Sequence, residues 1–504
     1  MGGMTAAAML ATMGKRVLVL EQHYTPGGFT HTFKRPGYEW DVGVHAVGEV
    51  SLHTTIGRLL KRLTKGKLEW ASLGDTYDEF TFPDGFRITF PDSPAAFRAT
   101  LLEAFPDEAI AIDAYLAEVR AVAKSMRGYY MSRALPGWAS KLMDFTLAAD
   151  AQKQMERHTD QVIAGITDNP KLRTILTAQW GYYGSPPSRS SFAIQALVAK
   201  HFMHGGFYPV GGSQRIAEGL LATVADAGGW TRVRADVERI IIDGDRATGV
   251  KLTDGEEIFA PLIVSAAGVQ STVSRLLPES DRQADWGKEV TALPPAAAHV
   301  CLYIGFKGDI RAAGAGAANQ WFYDTWDSEA IAWDVEPGKP MPKAPCLYTS
   351  FPSLKDPEHE PGDEQRHTGE VVTFVPWEIF EPWLDSSWKK RDESYETFKK
   401  AMHDSLLEQF LERMPELAPL IDFTELGTPL TTDHFVRPQR GSIYGIEPTP
   451  DRFRCDALRP RSPYKGLVFG GSEVASLGVI GAMMGGVLAA AAAEPRKALK
   501  ILRE

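Results

Sequence analysis

The start of the chain changes from small side chains to a short apolar run. Gly2 and Gly3 open a segment of alanine and methionine that reaches about Met13. Gly14 ends this segment, and the apolar residues 17–20 follow. Small residues let a helix lie close to a sheet, and an uninterrupted apolar run is typical of a parallel strand covered on both faces. The pattern predicts a helix that leads into a buried strand.

A second set of periodic patterns occupies residues 213–266. Apolar residues recur at helical spacing up to residue 227, and Gly228 ends that helix. Alternating apolar and polar positions around two glycine turns then predict strands at residues 231–235, 237–243, 248–253 and 258–266. A meander of this kind can exist without any ligand.

The segments between these patterns are long. Residues 55–200 are mostly helical in pattern. Within them, residues 124–143 mix Met, Tyr and Trp with Lys and Arg. This mixture fits a helix in a membrane interface, or a helix packed on the core with solvated charges, which we favour.

Two later segments bear on metals and membranes. Residues 354–369 are rich in Pro, Gly, Asp and Glu, which predicts a solvated loop, so His359 and His367 do not predict a metal site there. Residues 466–493 are apolar, but they include Glu473, serines and many glycines. They are too polar for a confident membrane span.

The composition of the chain limits the classes of protein to which it can belong. At 504 residues the chain has room for two or three domains. Its net charge of −10, without a basic run, excludes nucleic acid as a partner. Three widely spaced cysteines form neither a disulfide framework nor a C-x-x-C pair, which indicates a reducing, cytoplasmic location.

The opening helix and strand suit a dinucleotide. The helix N-terminus would face a pyrophosphate, and Glu21 at the strand end would accept hydrogen bonds from a ribose. The G-x-G-x-x-G fingerprint, however, needs a strand and two more glycines before Gly3. Either the natural start lies upstream, which we favour, or the chain lacks this strand and binds nucleotide poorly. An ordinary helix and strand without a ligand is the simpler alternative.

Further motifs make the pattern specific. The sequences LEQHYTPGGFTHTF and DVGVHAVGEV follow the strand, residues 428–450 read TPLTTDHFVRPQRGSIYGIEPTP, and residues 466–486 read GLVFGGSEVASLGVIGAMMGG. Together they resemble the flavin-dependent amine-oxidase/phytoene-desaturase superfamily, and within it the carotenoid isomerase and retinol saturase branch. Many members carry Arg after the glycine pair, whereas this chain has Phe29.

This resemblance implies an α/β fold that binds FAD. A Rossmann-like domain, whose first strand is missing from the sequence, would comprise residues 1–50, 205–270 and 456–504. It would be interleaved with a mixed α+β substrate-binding domain of residues 51–204 and 271–455. The FAD-binding residues that the resemblance implies are Gly2, Gly3, Glu21, Gly27, Gly28, Asp41, Gly43, Val44, Val237, Ala266, Gly471, Glu473 and Val479.

The resemblance also implies chemistry at carbon–carbon double bonds of a long apolar polyene, such as a carotenoid or retinoid. Saturation, desaturation and isomerisation remain open. His45 would lie beside the flavin and transfer a proton, although a lone histidine can be purely structural. Tyr183, Arg440 and Tyr444 are weaker candidates for the pocket wall.

Two other functions remain open at this point, an amine- or porphyrinogen-oxidase-like flavoenzyme and a non-catalytic flavin- or lipid-binding protein. A polyene partner suggests peripheral contact with a membrane. The oligomeric state is not encoded in the sequence.

Overall fold

The computed structural model describes residues 1–134 and 148–503. It is a mixed α/β protein, as expected. The helices are α1 Gly2–Thr12, α2 Thr55–Leu63, α3 Pro94–Ala104, α4 Ala109–Ala134, α5 Ala149–Met155, α6 Thr159–Ile166, α7 Pro170–Thr177, α8 Phe192–Phe202, α9 Gln214–Asp226, α10 Val269–Ser271, α11 Glu279–Gln283, α12 Asp285–Thr291, α13 Pro352–Lys355, α14 Glu393–Arg413, α15 Pro429–Val436, α16 Pro450–Arg454, α17 Gly478–Ala493 and α18 Pro495–Arg503.

The strands belong to several sheets of different size. They are β1 Leu18–Leu20, β2 Thr32–Arg35, β3 Tyr38–Asp41, β4 Trp70–Ser72, β5 Thr76–Thr81, β6 Arg87–Pro91, β7 Phe207–Pro209, β8 Trp230–Arg232, β9 Val237–Asp243, β10 Arg246–Leu252, β11 Glu257–Phe259, β12 Ile263–Ser265, β13 Ala298–Lys307, β14 Asn319–Tyr323, β15 Cys346–Ser350, β16 Arg366–Val375, β17 Ile421–Gly427 and β18 Leu467–Phe469.

Helix α1 lies at the centre of the first structural region. It packs against α17 and α9, and it also contacts strands β1 and β12. Its alanines are buried, and because they carry only a methyl group the neighbouring helix backbones can approach closely. The predicted helix and buried strand at the start of the chain are therefore both present.

Two parallel strand pairs lie against this helix. Strand β1 pairs with β8, and β12 pairs with β18. Among the described residues, no strand joins the two pairs. The antiparallel meander β9–β10–β11 lies beside them and contacts β12.

The predicted strand at residues 258–266 is two strands. Strand β11 belongs to the meander, whereas β12 pairs with β18 near the C-terminus. Pro261 lies between them. Proline has no backbone N–H to donate, so it interrupts a ladder and lets the chain change sheets.

A seven-stranded sheet organises the second region, with strand order β17-β13-β16-β15-β14-β5-β6. Strand β13 is buried along nearly its whole length, because both of its faces are covered. Its residues Val300 and Leu302 pack with Phe398 and Met402 of α14, whereas the alternate residue Cys301 packs on the opposite face. This side-chain alternation divides the core into two layers.

The prediction of a solvated loop at residues 354–369 is wrong at both ends of that segment. Lys355 ends α13 with only 4% of its surface exposed. Strand β16 begins at Arg366, and its His367 is buried opposite Phe306 of β13. Pairing with a distant strand therefore overrides the polar local composition.

The proposed membrane-interface helix falls partly outside the described residues. Helix α4 is described to Ala134, and there Met126 and Tyr129 are buried whereas Met131 is exposed. Residues 135–147, which include the remainder of the predicted segment up to residue 143, lie outside the description. Across residues 1–134 and 148–503, no helix has the length and apolar character needed to cross a bilayer.

Candidate active site

One cavity of about 900 Å³ connects the two regions. At one end it is lined by Glu21 and Val237, and Glu473 also borders it. At the other end it reaches Trp321 and Tyr348 of the seven-stranded sheet. Cavities of this size hold cofactors and drug-sized ligands. Three segments that are far apart in sequence therefore meet at one site.

The end of the cavity beside Glu21 has the elements that the sequence predicts for a nucleotide site. Gly2 and Gly3 form the first turn of α1, which carries no acid, so the helix N-terminus can attract an anion. Glu21 follows β1, and burial raises the pKa of its carboxyl group. The backbone N–H of Ala235 donates to the carbonyl oxygen of Glu21 at 2.8 Å, which places β9 beside this acid. Val237 is the first residue of β9.

Glycines bring three backbone segments into contact beneath the cavity. A Cβ atom added to Gly2 would lie 2.5 Å from Gly471 Cα. One added to Gly485 would lie 1.9 Å from the carbonyl oxygen of Gly471, and one added to Gly486 would lie 2.2 Å from that of Gly2. Gly471 itself has φ +102°. The cradle therefore excludes side chains and leaves backbone facing a ligand.

Glu473 fixes the loop beside this cradle. Its Oε2 accepts a hydrogen bond of 3.0 Å from the backbone N–H of Gln270. Burial raises the pKa of the Glu473 carboxyl, against the opposing effect of the Arg452 guanidinium. The side chain still lines the cavity, so it remains available to a ligand hydroxyl.

Most of the implied cofactor residues line this cavity. Gly27, Gly28, Gly43, Ala266 and Val479 do so together with those already described. Asp41 and Val44 do not. Val44 is buried in the core against α1. The glycine cradle, the anion-attracting helix end and the acid after β1 all fit a dinucleotide such as FAD.

Asp41 instead joins β3 to the start of α9. Its carboxylate accepts hydrogen bonds from the Tyr208 hydroxyl at 2.5 Å and from the backbone N–H of Ser213 at 3.1 Å. Burial and the nearby Glu370 raise the pKa of Asp41 to about 6. These hydrogen bonds hold the end of β3, from which the chain continues into the loop that carries His45.

His45 borders the cavity and contacts a buried acid. Its Nδ1 lies 2.8 Å from Oε2 of Glu370, and its ring centroid lies 5.1 Å from that of Tyr348. Burial, reinforced by the Lys355 cation, lowers the pKa of His45 to about 3. The imidazole is therefore neutral near pH 7.

Lys355 and Glu370 are functional candidates that the sequence did not reveal. Nζ of Lys355 donates to the carbonyl oxygen of His45 at 2.8 Å, to Ser350 Oγ at 2.7 Å and to Asn319 Oδ1 at 2.5 Å. Burial lowers the pKa of Lys355 to about 7 and raises that of Glu370 to about 8. A charged residue within the apolar stretch of β16 was the available signal for Glu370, whereas Lys355 lies in the segment whose composition predicts a solvated loop.

The three weaker wall candidates have different environments. Tyr444 lines the cavity, and its hydroxyl donates to the carbonyl oxygen of Gly181 at 3.1 Å. Tyr183 is buried but does not line the cavity, and its hydroxyl donates to Oε1 of Gln195. Arg440 is exposed and paired with Glu378, so it does not form the wall.

The fold and this cavity define a flavin-binding oxidoreductase. The chain belongs to the flavin containing amine oxidoreductase family, whose sequence model matches residues 1–493. Its cofactor is FAD, as the sequence had indicated.

Individual relatives agree with this assignment. All-trans-retinol 13,14-reductase of Danio rerio is 32% identical over 511 residues, covering 96% of this chain and 83% of that protein. Prolycopene isomerase 2, chloroplastic, of an Oncidium hybrid cultivar is 25% identical over 460 residues, covering 89% and 74%. The solved structure of cyclohexylamine oxidase from Brevibacterium oxydans IH-35A matches with a TM-score of 0.59 at 17% identity, covering 100% of this chain and 96% of that one, which shows a shared fold.

Proposed function

We propose that this protein is an FAD-dependent reductase that saturates a carbon–carbon double bond of a long apolar polyene of the retinoid or carotenoid class. The observation that supports it best is the chamber beyond the glycine cradle. A row of side chains, Trp321, Tyr348 and Val372, crosses three adjacent strands and faces the cavity. Tyr182 and Phe374 border it as well. Apolar and aromatic walls favour an apolar ligand.

The relatives support the substrate class and the direction. The reductase named for all-trans-retinol matches nearly the whole chain, and a more distant relative is named for prolycopene, so polyenes recur among the related proteins. We favour saturation over isomerisation and desaturation because the more similar relative is a reductase.

Bound FAD would supply hydride transfer to or from carbon. The chain's own contributions are the dry chamber, which positions the polyene, and a proton donor for the second carbon. His45 is that donor in our proposal, because its ring lines the cavity while its Nδ1 is buried. A positioned general acid contributes about 100-fold or more to such a step.

The test is incubation of the purified holoenzyme with all-trans-retinol and a carotenoid panel, anaerobically with dithionite. We expect a product that has gained two hydrogens. An isomer of unchanged mass, or loss of two hydrogens under oxidising conditions, would contradict saturation and identify the other two activities. A fully flavinylated protein that changes no polyene but oxidises amines with release of hydrogen peroxide would overturn the polyene assignment.

We also propose peripheral contact with an anionic lipid surface through α2 and α18. The two helices are joined by a 2.7 Å hydrogen bond from Arg62 to the carbonyl oxygen of Ile501. Neither helix contains an acid, although the chain's net charge is −10. On α18, Leu499 and Leu502 expose 53% and 37% of their surface beside basic residues. Exposed leucines among cations are typical of interfacial helices.

We expect the holoenzyme to float with vesicles containing phosphatidylserine and not with neutral phosphatidylcholine vesicles, and salt should weaken the binding. The double substitution Leu499→Asp and Leu502→Asp should reduce binding at least tenfold. Leu384→Asp, at an exposed leucine elsewhere, is the matched control. Equal flotation of the double variant and the wild type would contradict this surface.

A further inference from the structure

A fully buried glutamate lies behind His45. Glu370 is in the interior of β16, opposite Tyr303 of β13 and Ser350 of β15. Its carboxyl group has no exposed surface, and its Oε2 lies 2.8 Å from Nδ1 of His45. Nδ1 is also shielded from solvent, so it faces the acid while the ring borders the cavity.

The contact joins two neutral groups. Burial keeps the proton on Glu370, whose pKa is raised to about 8, and keeps His45 unprotonated, with its pKa lowered to about 3. Among the described residues, neither Nδ1 nor the Glu370 oxygens make a well-aligned hydrogen bond. Catalytic contacts are often poorly aligned before a ligand binds and improve in the complex. A neutral pair at this distance allows two donors, the carboxylic acid O–H toward Nδ1 or the imidazole Nδ1–H toward the carboxyl C=O.

We propose that Glu370 is a positioning and proton-supplying residue for His45. Its carboxylic acid donates to Nδ1, holds the imidazole in the tautomer with the proton on Nε2, and so directs an N–H toward the cavity. Glu370 does not line the cavity, so it acts entirely through His45.

In the proposed step His45 gives up one proton and receives another, so a charged imidazolium does not form. When Nε2 gives its proton to the substrate carbon, Nδ1 takes the proton of Glu370. The imidazole ends neutral with its tautomer reversed, and Glu370 ends as a carboxylate. This step rests on the proposed reduction, for which bound reduced FAD would supply the hydride, whereas the tautomer and the protonated acid do not depend on it.

Lys355 stabilises the carboxylate that this step produces. Its ammonium group donates to Ser350 Oγ at 2.7 Å, on the residue opposite Glu370. Its positive charge also opposes the rise that burial causes in the pKa of Glu370. The titratable and charged groups that face Glu370 and His45 are Asp41, Tyr208, His299, Cys301, Tyr303, Tyr348 and Lys355, and Asp78 in turn faces Lys355.

The test is infrared difference spectroscopy of the substrate-free holoenzyme. The wild-type minus Glu370→Gln spectrum at pH 7 should contain the C=O stretch of a protonated carboxylic acid. In the wild type this band should disappear with a midpoint near pH 8. The exposed Glu378→Gln is the control and should remove no such band. A Glu370 that is already ionised at pH 7 would overturn the proposal.

A second measurement needs no variant. Nitrogen-15 shifts of labelled histidine should show Nε2 of His45 protonated and Nδ1 as an acceptor, and the opposite tautomer would overturn the proposal. With substrate, Glu370→Gln should lower kcat about 100-fold with little change in KM, because the amide can hold the tautomer but cannot supply the proton. If the spectra agree but no polyene reacts, the proposed function fails and the pairing stands. If polyenes are reduced without the acid band, this inference fails alone.

Discussion

Replacing Gly485 with alanine is expected to remove most of the FAD from the purified protein. The new Cβ would lie 1.9 Å from the carbonyl oxygen of Gly471 and 2.6 Å from its carbonyl carbon. Both atoms are backbone, so helix α17 must move away from the cradle. Gly471 lines the cavity, whereas Gly485 does not, so the effect on the cofactor would be transmitted by displacement alone.

The expected size follows from overpacking, which costs about 1–3 kcal/mol in well-packed interiors. A loss of that size at the cradle weakens FAD retention about 5- to 150-fold. The measurement is the ratio of flavin to protein absorbance after gel filtration, together with an FAD titration of the stripped protein. Gly165→Ala is the control, because Gly165 lies in helix α6 with open space around it. If Gly485→Ala and Gly165→Ala retain equal amounts of FAD, the close glycine contacts do not support the cofactor site.

Replacing Lys355 with methionine is expected to destabilise the protein by about 3–5 kcal/mol, as removal of one partner from a buried charge network does. The substitution deletes the donor to Asn319, Ser350 and the backbone of His45. It also removes the cation that offsets Asp41 and Glu370.

The loss should grow as pH rises. Burial lowers the folded pKa of Lys355 to about 7, below its unfolded value of 10.5. The buried ammonium therefore costs the wild type stability at pH 6, and this cost is relieved as pH rises above 7, whereas the methionine variant has no such gain. Denaturant unfolding of the holoenzymes at pH 6 and pH 9 measures this. Lys400→Met, at a lysine whose side chain is 73% exposed, should change little at either pH. A Lys355→Met variant as stable as that control would contradict the network.

Local patterns were sufficient to predict the elements of the first structural region. Helix α1, strand β1 and helix α9 follow from short-range periodicity and glycine stops, and the motifs placed Glu21 and Glu473 on one cavity. Asp41 belongs to the same motif, but its side chain points away from the cavity and bonds to Tyr208 and Ser213. The direction of a side chain depends on the folded backbone and could not be inferred from the motif.

The seven-stranded sheet could not be predicted in the same way. Strand β13 pairs with β16 and β17, and β14 pairs with β5, across long stretches of chain. No local pattern specifies such partners. Lys355 lies within the predicted surface loop of residues 354–369 and Glu370 comes directly after it, and both become buried only when those pairings form. Their approach to His45 is a product of tertiary structure.

The row of Trp321, Tyr348 and Val372 has a consequence for how specificity can diversify. These residues lie directly opposite one another on neighbouring strands. Side chains on one face of a strand can be substituted without altering the backbone hydrogen bonds of the sheet. Shortening or enlarging any of them would remodel the length and width available to a hydrocarbon while the ladder beneath stays intact. Homologues could thus acquire new lipid preferences one residue at a time, on a floor that needs no loop to be rebuilt.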